Sequence, residues 1–67
     1  MKLTFLGTSS ANGDCPSVYA TDKGTYVVQG WKVADGEALS HLDIPDHETV
    51  IEIPAELLRY MPAAPDA

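Results

Sequence analysis

The sequence contains a single cysteine, Cys15, among its 67 residues, so it cannot form an intrachain disulfide. A chain of this size buries only about 60% of the surface that its unfolded form exposes, which leaves the fold marginally stable. Small domains without disulfides are commonly stabilised by a metal or by self-association. The length allows one domain, which we expect to cover residues 1–62, with a disordered Ala/Pro-rich tail at residues 63–67.

Long hydrophobic runs are also missing. The apolar runs are short, such as Tyr26-Val27-Val28, whereas a membrane-spanning helix needs about 20 apolar residues. The apolar start stops at Gly7, short of the roughly 7 to 15 apolar residues of a secretory signal. We therefore expect no membrane interaction, no secretion signal, and a cytoplasmic protein with a reduced thiol.

Basic residues are few: four Lys and Arg stand against ten Asp and Glu, for a net charge of −6. This balance argues against binding to nucleic acid or anionic lipid, which attract basic surfaces. The negative charge is concentrated in residues 35–56, which we call the acidic segment. It has no Lys or Arg and carries Asp35, Glu37, Asp43, Asp46, Glu48, Glu52 and Glu56. The acidic segment is interpreted either as a solvated face that maintains solubility or as a docking surface for a basic protein partner.

Patterns of apolar and β-branched residues predict strands. Four runs are expected to be extended: residues 2–6, 17–21, 25–33 and 48–53. The second and third runs are joined by Asp22-Lys23-Gly24, which is typical of a hairpin turn with Gly24 in the left-handed conformation. Gly7 is expected to end the first strand, and Gly30 predicts a bulge or a close backbone approach beside Trp31.

Two short helices are predicted. Asp35 is suited to cap a helix over residues 36–42, and Pro54 is suited to the first position of a second helix that ends before Pro62. The order of elements predicts an α+β fold: a small, mostly antiparallel sheet of about four strands with two short helices on one face. The expected core consists of Leu3, Phe5, Val18, Val28, Trp31, Leu39, Leu42, Ile51, Ile53, Leu57 and Leu58.

A sheet this small has two exposed edges. Pairing one edge with a second copy would bury surface that the monomer cannot bury. The sequence therefore predicts a homodimer.

The amino-terminal segment reads Lys2-Leu3-Thr4-Phe5-Leu6-Gly7-Thr8-Ser9-Ser10, followed by Cys15-Pro16-Ser17-Val18-Tyr19-Ala20 and the hairpin. This segment resembles the first strands of metallo-β-lactamase-fold hydrolases. The resemblance implies a strand and hairpin at the start of the chain. Those enzymes bind their metals with a His-x-His-x-Asp-His cluster. The segment from His41 to His47 has a different spacing and lacks the second His, so hydrolase activity is not implied.

A second resemblance spans most of the chain. It is carried by Cys15-Pro16-Ser17-Val18-Tyr19, Thr25-Tyr26-Val27-Val28-Gln29-Gly30-Trp31-Lys32-Val33, Leu42-Asp43-Ile44-Pro45-Asp46-His47-Glu48-Thr49 and Ile53-Pro54. These stretches are similar to a group of short actinobacterial proteins without an assigned reaction. The resemblance implies a free-standing bacterial cytoplasmic protein and no particular chemistry.

Cys15, His41, Asp43 and His47, with Asp46 nearby, are the residues that could carry chemistry. Thiolate, imidazole and carboxylate are ligands that suit zinc, and Cys with His can form a nucleophile and its base. These residues support an alternative function: a small metal-dependent or thiol-dependent enzyme, or an accessory subunit of a larger enzyme. The spacing is not diagnostic, and such residues are more often exposed loop histidines and a small, semi-buried thiol.

The aromatic residues Tyr19, Tyr26 and Trp31 lie in the predicted hairpin. They are interpreted either as core residues or as an outward patch that anchors an interface. Because no convincing catalytic group is present, the preferred hypothesis is a non-enzymatic protein–protein interaction or regulatory module that needs no cofactor. Its expected interaction residues are Tyr19, Tyr26, Trp31, Asp43, Asp46, Glu48 and Glu52.

Overall fold

A computed structural model of the chain describes residues 1–10 and 16–61. These residues form five strands and two short helices. In chain order the elements are β1 (Leu3–Thr8), β2 (Ser17–Thr21), β3 (Tyr26–Gln29), β4 (Trp31–Lys32), the helix α1 (Gly36–Ser40), β5 (Ile51–Glu52) and a 3₁₀ helix (Ala55–Tyr60). The predicted α+β fold, with antiparallel strands and two short helices, is confirmed. The strands divide into two sheets: a three-stranded sheet in the order β1-β2-β3 and a ribbon formed by β4 and β5.

The turn between β2 and β3 has the predicted geometry. Gly24 has a φ of 77°, a conformation that costs glycine little because it has no Cβ. The Thr21 N–H donates to the Thr25 carbonyl at 2.9 Å and closes the turn. The Thr21 hydroxyl oxygen accepts from the N–H groups of Lys23 and Thr25 at 3.1 and 3.2 Å. The turn sequence therefore sets the register in which Tyr19 lies opposite Val27.

Strand β1 continues through Gly7 to Thr8, beyond its predicted end. A bulge between Phe5 and Gly7 shifts the register, so that Phe5 lies opposite Tyr19 and Gly7 opposite Val18. Such bulges bend a strand without ending it. The prediction that Gly7 ends the strand was wrong because the missing side chain serves packing: a Cβ at Gly7 would collide with the Tyr60 ring.

The backbone at Gly30 is closely approached by another segment of the chain, which is one of the two structures predicted for this residue. A Cβ there would lie 2.8 Å from the Glu52 carbonyl oxygen and 2.7 Å from Ile53 Cγ2. The chain passes Gly30 from β3 into β4, where Trp31 pairs with Glu52 in the antiparallel ribbon. The strand predicted over residues 48–53 is therefore shorter than expected, since only Ile51–Glu52 is extended and paired.

Both helices begin near the predicted residues. The Asp35 carboxylate accepts from the Ala38 N–H at 3.2 Å, which confirms Asp35 as the cap of α1. Helix α1 ends at Ser40 and contains no buried residue. Pro54 stands one position before its predicted place, as the N-cap of the 3₁₀ helix, where its carbonyl accepts from the Leu57 N–H at 3.1 Å.

The core is much smaller than predicted. Among the described residues only Val18 and Leu57 are fully buried apolar side chains. The prediction of burial was wrong for six apolar residues, which are exposed: Leu3, Phe5, Trp31, Leu42, Ile51 and Leu58. The physical reason is the shortness of the helices. A single 3₁₀ helix of six residues packs against β1 and β2, and it covers one face of the sheet only.

Two predictions fall on residues that the structure does not describe, namely those for Cys15 and for the tail at residues 63–67. Within residues 1–10 and 16–61, neither of the short helices approaches the length and apolar character of a bilayer-spanning segment.

Candidate interaction surface

The three-stranded sheet has one apolar face that the 3₁₀ helix leaves uncovered. Residues directly opposite each other in neighbouring strands share a face, which places Phe5, Tyr19 and Val27 side by side across β1, β2 and β3. Leu3 lies two residues before Phe5 and therefore on the same side of β1. We call Leu3, Phe5, Tyr19 and Val27 the open face.

The helix lies on the opposite side of the sheet. Gly7, Val18 and Val28 stand opposite one another there, and the Tyr60 ring occupies the space above Gly7. Leu57 of the 3₁₀ helix is fully buried together with Val18. The 3₁₀ helix therefore covers the side of Gly7 and Val18 and does not cover the open face.

Phe5 and Tyr19 form the centre of the open face. Their ring centroids are 5.7 Å apart with an interplanar angle of 67°, an edge-to-face arrangement that aromatic pairs favour. Phe5 is 53% exposed and Leu3 is 51% exposed, whereas Tyr19 and Val27 are half-buried. Two apolar side chains of β1 thus face solvent, one of them in an edge-to-face aromatic pair.

Strands β1, β2 and β3 contain no charged residue, although the chain as a whole carries a net charge of −6. Two charged residues, Lys2 and Asp22, stand at the rim. The Lys2 N–H donates to the Asp22 carboxylate at 3.2 Å, and the Asp22 N–H donates to the Lys2 carbonyl at 3.3 Å. The open face is therefore an uncharged apolar patch, the pattern found at the centre of protein–protein interfaces.

The three aromatic residues of the predicted hairpin, interpreted either as core or as an outward patch, lie in three places. Tyr19 is on the open face. Tyr26 pairs with Ala20 on the other face of the sheet and is 40% exposed. Trp31 is in the ribbon and is 50% exposed. The structure therefore does not bring Tyr19, Tyr26 and Trp31 together.

The ribbon presents an aromatic residue beside a carboxylate. Trp31 lies directly opposite Glu52, so the two side chains share one face, while Lys32 and Ile51 share the other. Glu52 and Trp31 are both exposed. This pairing combines the residue type that most often anchors interfaces with a negative charge.

The other acidic residues assigned to an interaction are exposed as well: Asp43, Asp46 and Glu48. Glu48 Oε2 lies 3.8 Å from Nε2 of the exposed His47. An exposed pair of this kind contributes little to stability, so these side chains are available to solvent and to partners.

The suggested metal ligands are not gathered within the described part of the chain. No three His, Cys, Asp or Glu side chains there lie close enough to hold one ion. Cys15, one of the suggested ligands, lies outside the described residues, so the metal-dependent and thiol-dependent alternatives stay predictions.

Leu3 and Phe5 are the surface residues that the sequence interpretation missed, because their alternation with polar neighbours assigned them to the core. Two signals pointed the other way. Strands β1, β2 and β3 carry no charge on either face, and the short helical segments cannot cover two sides of a sheet.

Comparison of the chain with models of known protein families, with curated proteins and with solved structures found no match. The resemblances drawn from the sequence therefore stay predictions.

Proposed function

We propose that this protein is a non-enzymatic protein–protein interaction module that works as a homodimer. The observation that carries the proposal is the open face: exposed Leu3 and Phe5 lie beside Tyr19 on strands that contain no charged residue. Apolar side chains exposed together on a small domain mark a surface that a protein covers. Among the described residues only two apolar side chains are fully buried. Covering the open face adds buried apolar surface and so stabilises the protein.

Native mass spectrometry of the protein, isolated gently from its own cells, tests the proposal directly. We expect the mass of two chains, alone or with a further protein bound. A bare monomer at tens of micromolar would remove the homodimer, and a monomer carrying a metal ion or a small molecule would favour the enzyme alternative built on Cys15 and the segment from His41 to His47.

Phe5→Ser is expected to weaken the homodimer at least about tenfold, because large aromatic side chains at the centre of an interface carry most of its binding energy. The dissociation constant is measured by analytical ultracentrifugation, with circular dichroism to show that the fold is kept. Tyr26→Ser is the matched control. It removes an exposed aromatic residue from the opposite face of the same sheet and should leave the constant unchanged. Equal effects of the two substitutions would contradict a role for the open face.

We further propose that the dimer engages a basic protein partner through Trp31, Glu52 and the exposed acidic residues Asp43, Asp46 and Glu48. Trp31 beside Glu52 supplies an aromatic anchor with a negative charge. The acidic segment contains no Lys or Arg that would neutralise its carboxylates. The proposal is supported by the electrostatic attraction that such a surface exerts on basic proteins.

The intrinsic fluorescence of Trp31, the only tryptophan of the sequence, reports on this surface. An oligolysine peptide is expected to change the fluorescence saturably at low salt. The effect should be lost as salt rises, since the screening length falls from about 10 Å at 0.1 M to about 3 Å at 1 M.

Glu52→Gln should weaken this binding more than Asp22→Asn, which removes the same charge at the rim of the other sheet. A salt-independent signal, or equal effects of the two substitutions, would exclude the acidic docking surface.

A further inference from the structure

The outer side of β1 is an open sheet edge. Strand β1 pairs with β2 on one side, and no strand of the described residues pairs with its other side. Such an edge presents backbone N–H and C=O groups that a further strand can bind.

The hydrogen bonds at the start of β1 show which residues face outward. The Asp22 N–H donates to the Lys2 carbonyl, so the backbone groups of Lys2 point towards β2. In an antiparallel pair this direction alternates along the strand, which turns Thr4 towards β2 and turns Leu3 and Phe5 away from it. The hydrogen bond of Thr21 supports this alternation. Thr21 lies opposite Leu3 in β1, but its N–H donates to the Thr25 carbonyl across the hairpin, away from Leu3.

The outward backbone groups of Leu3 and Phe5 therefore stand beside their own exposed side chains on the open face. Proteins usually protect an edge with a charged residue, a proline or a bulge. Strand β1 contains no charge and no proline, and its bulge lies after Phe5, so the stretch from Leu3 to Phe5 remains regular.

The other edge of the sheet is less suited to a partner. At the end of β3 the Glu52 carbonyl and the Ile53 side chain already approach Gly30. On the open face β3 contributes the half-buried Val27, whereas β1 contributes two side chains that are more than half exposed. The favoured docking edge is therefore β1.

The charge pattern indicates a second copy as the occupant. Two molecules of net charge −6 repel each other, most strongly where their acidic segments meet. Contact through β1 brings together strands without charged residues, which avoids like charges at the interface. A basic partner would find no carboxylate on these strands to bind.

We propose that two copies pair their β1 strands antiparallel about a two-fold axis at Thr4 and so join their sheets into one. This inference rests on the proposed homodimer and names the surface through which it forms. With the axis at Thr4, Leu3 lies opposite Phe5 of the second copy, and these residues exchange hydrogen bonds through their outward backbone groups. The two open faces then form one continuous apolar surface, in which Leu3 of each copy contacts Phe5 of the other and covers part of it.

The same register brings the Thr4 residues of the two copies together on the other face. They form a non-hydrogen-bonded pair, whose Cα atoms are about 4.5 Å apart in antiparallel sheets. This separation lies within the range of about 4.4 to 6.8 Å that a disulfide requires. Lys2, two residues from the axis, would be separated from its copy by roughly 13 Å along the strands.

Cross-linking of Thr4→Cys tests the register. In a Cys15→Ser background, which removes the only native cysteine, we expect Thr4→Cys to become a disulfide-linked dimer under mild oxidation. Lys2→Cys in the same background is the matched control and should stay unlinked. If the wild-type protein is dimeric but Thr4→Cys links no faster than Lys2→Cys, the edge pairing is overturned while the homodimer stands. A monomeric wild-type protein overturns both.

Leu3→Pro compared with Leu3→Ala separates edge pairing from contact through the open face. Both substitutions remove the apolar side chain, and proline also removes an N–H that points away from β2, where a strand tolerates it. Each copy loses the Leu3 N–H donor, so the dimer loses two hydrogen bonds. Leu3→Pro should therefore weaken the dimer about tenfold more than Leu3→Ala. Equal dissociation constants would show that the copies meet face to face and would refute pairing through the edge.

Discussion

Leu57→Ala is expected to remove most of the folding stability of this protein. Leu57 and Val18 are the only fully buried apolar side chains among the described residues, and Leu57 fixes the 3₁₀ helix to the sheet. Replacing a buried leucine with alanine costs about 2 to 5 kcal/mol. A chain of this length has a total stability of about 3 to 10 kcal/mol. Urea denaturation followed by far-UV circular dichroism should therefore show a midpoint close to zero denaturant.

The neighbouring Leu58 provides a matched control, since Leu58→Ala deletes the same atoms from the same helix. Leu58 is 59% exposed, and substitutions at such positions usually change the free energy of unfolding by less than about 0.5 kcal/mol. Both variants are compared at one protein concentration because dimerisation makes stability depend on concentration. A Leu58→Ala variant as unstable as Leu57→Ala would show that the helix is covered on both sides and would contradict this assignment of the core.

Gly7→Ala adds only one methyl group but is expected to lower the folding stability clearly. The added methyl would lie 2.5 Å from Cδ1 and Cζ of the Tyr60 ring, so the helix would have to move away from β1. Overpacking of this kind costs about 1 to 3 kcal/mol. Thermal unfolding should therefore occur at a clearly lower temperature. At Gly36 an added Cβ would meet no described atom within 4 Å outside its chain neighbours and the backbone of its own helix, so Gly36→Ala should instead stabilise the protein by about 0.4 to 1 kcal/mol.

The cause of the Gly7 effect is tested with Tyr60→Ala, which removes the ring and costs stability on its own. If the collision with the ring is the cause, Gly7→Ala should cost much less in the Tyr60→Ala background, with a coupling energy of about 0.5 to 3 kcal/mol. Additive effects would mean that the collision with the Tyr60 ring is not the cause of the lost stability.

Local features of the fold were predictable because short-range chemistry decides them. The Gly24 turn and the Asp35 cap both follow from contacts within a few residues. The exposure of the candidate site was not predictable in the same way. Alternation identifies Leu3 and Phe5 as one face of a strand, and it does not say whether anything covers that face.

The sequence by itself determined the α+β class, the hairpin, the capped first helix and the concentration of negative charge in residues 35–56. Only the tertiary structure decided that the strands split at Gly30 into two sheets, where the Glu52 carbonyl and Ile53 approach the backbone. It also decided that the 3₁₀ helix covers the Gly7 side of the sheet and leaves Phe5 and Tyr19 open. The reason is that turns and caps depend on neighbouring residues, whereas burial depends on which distant segment reaches a surface and whether it is large enough to cover it.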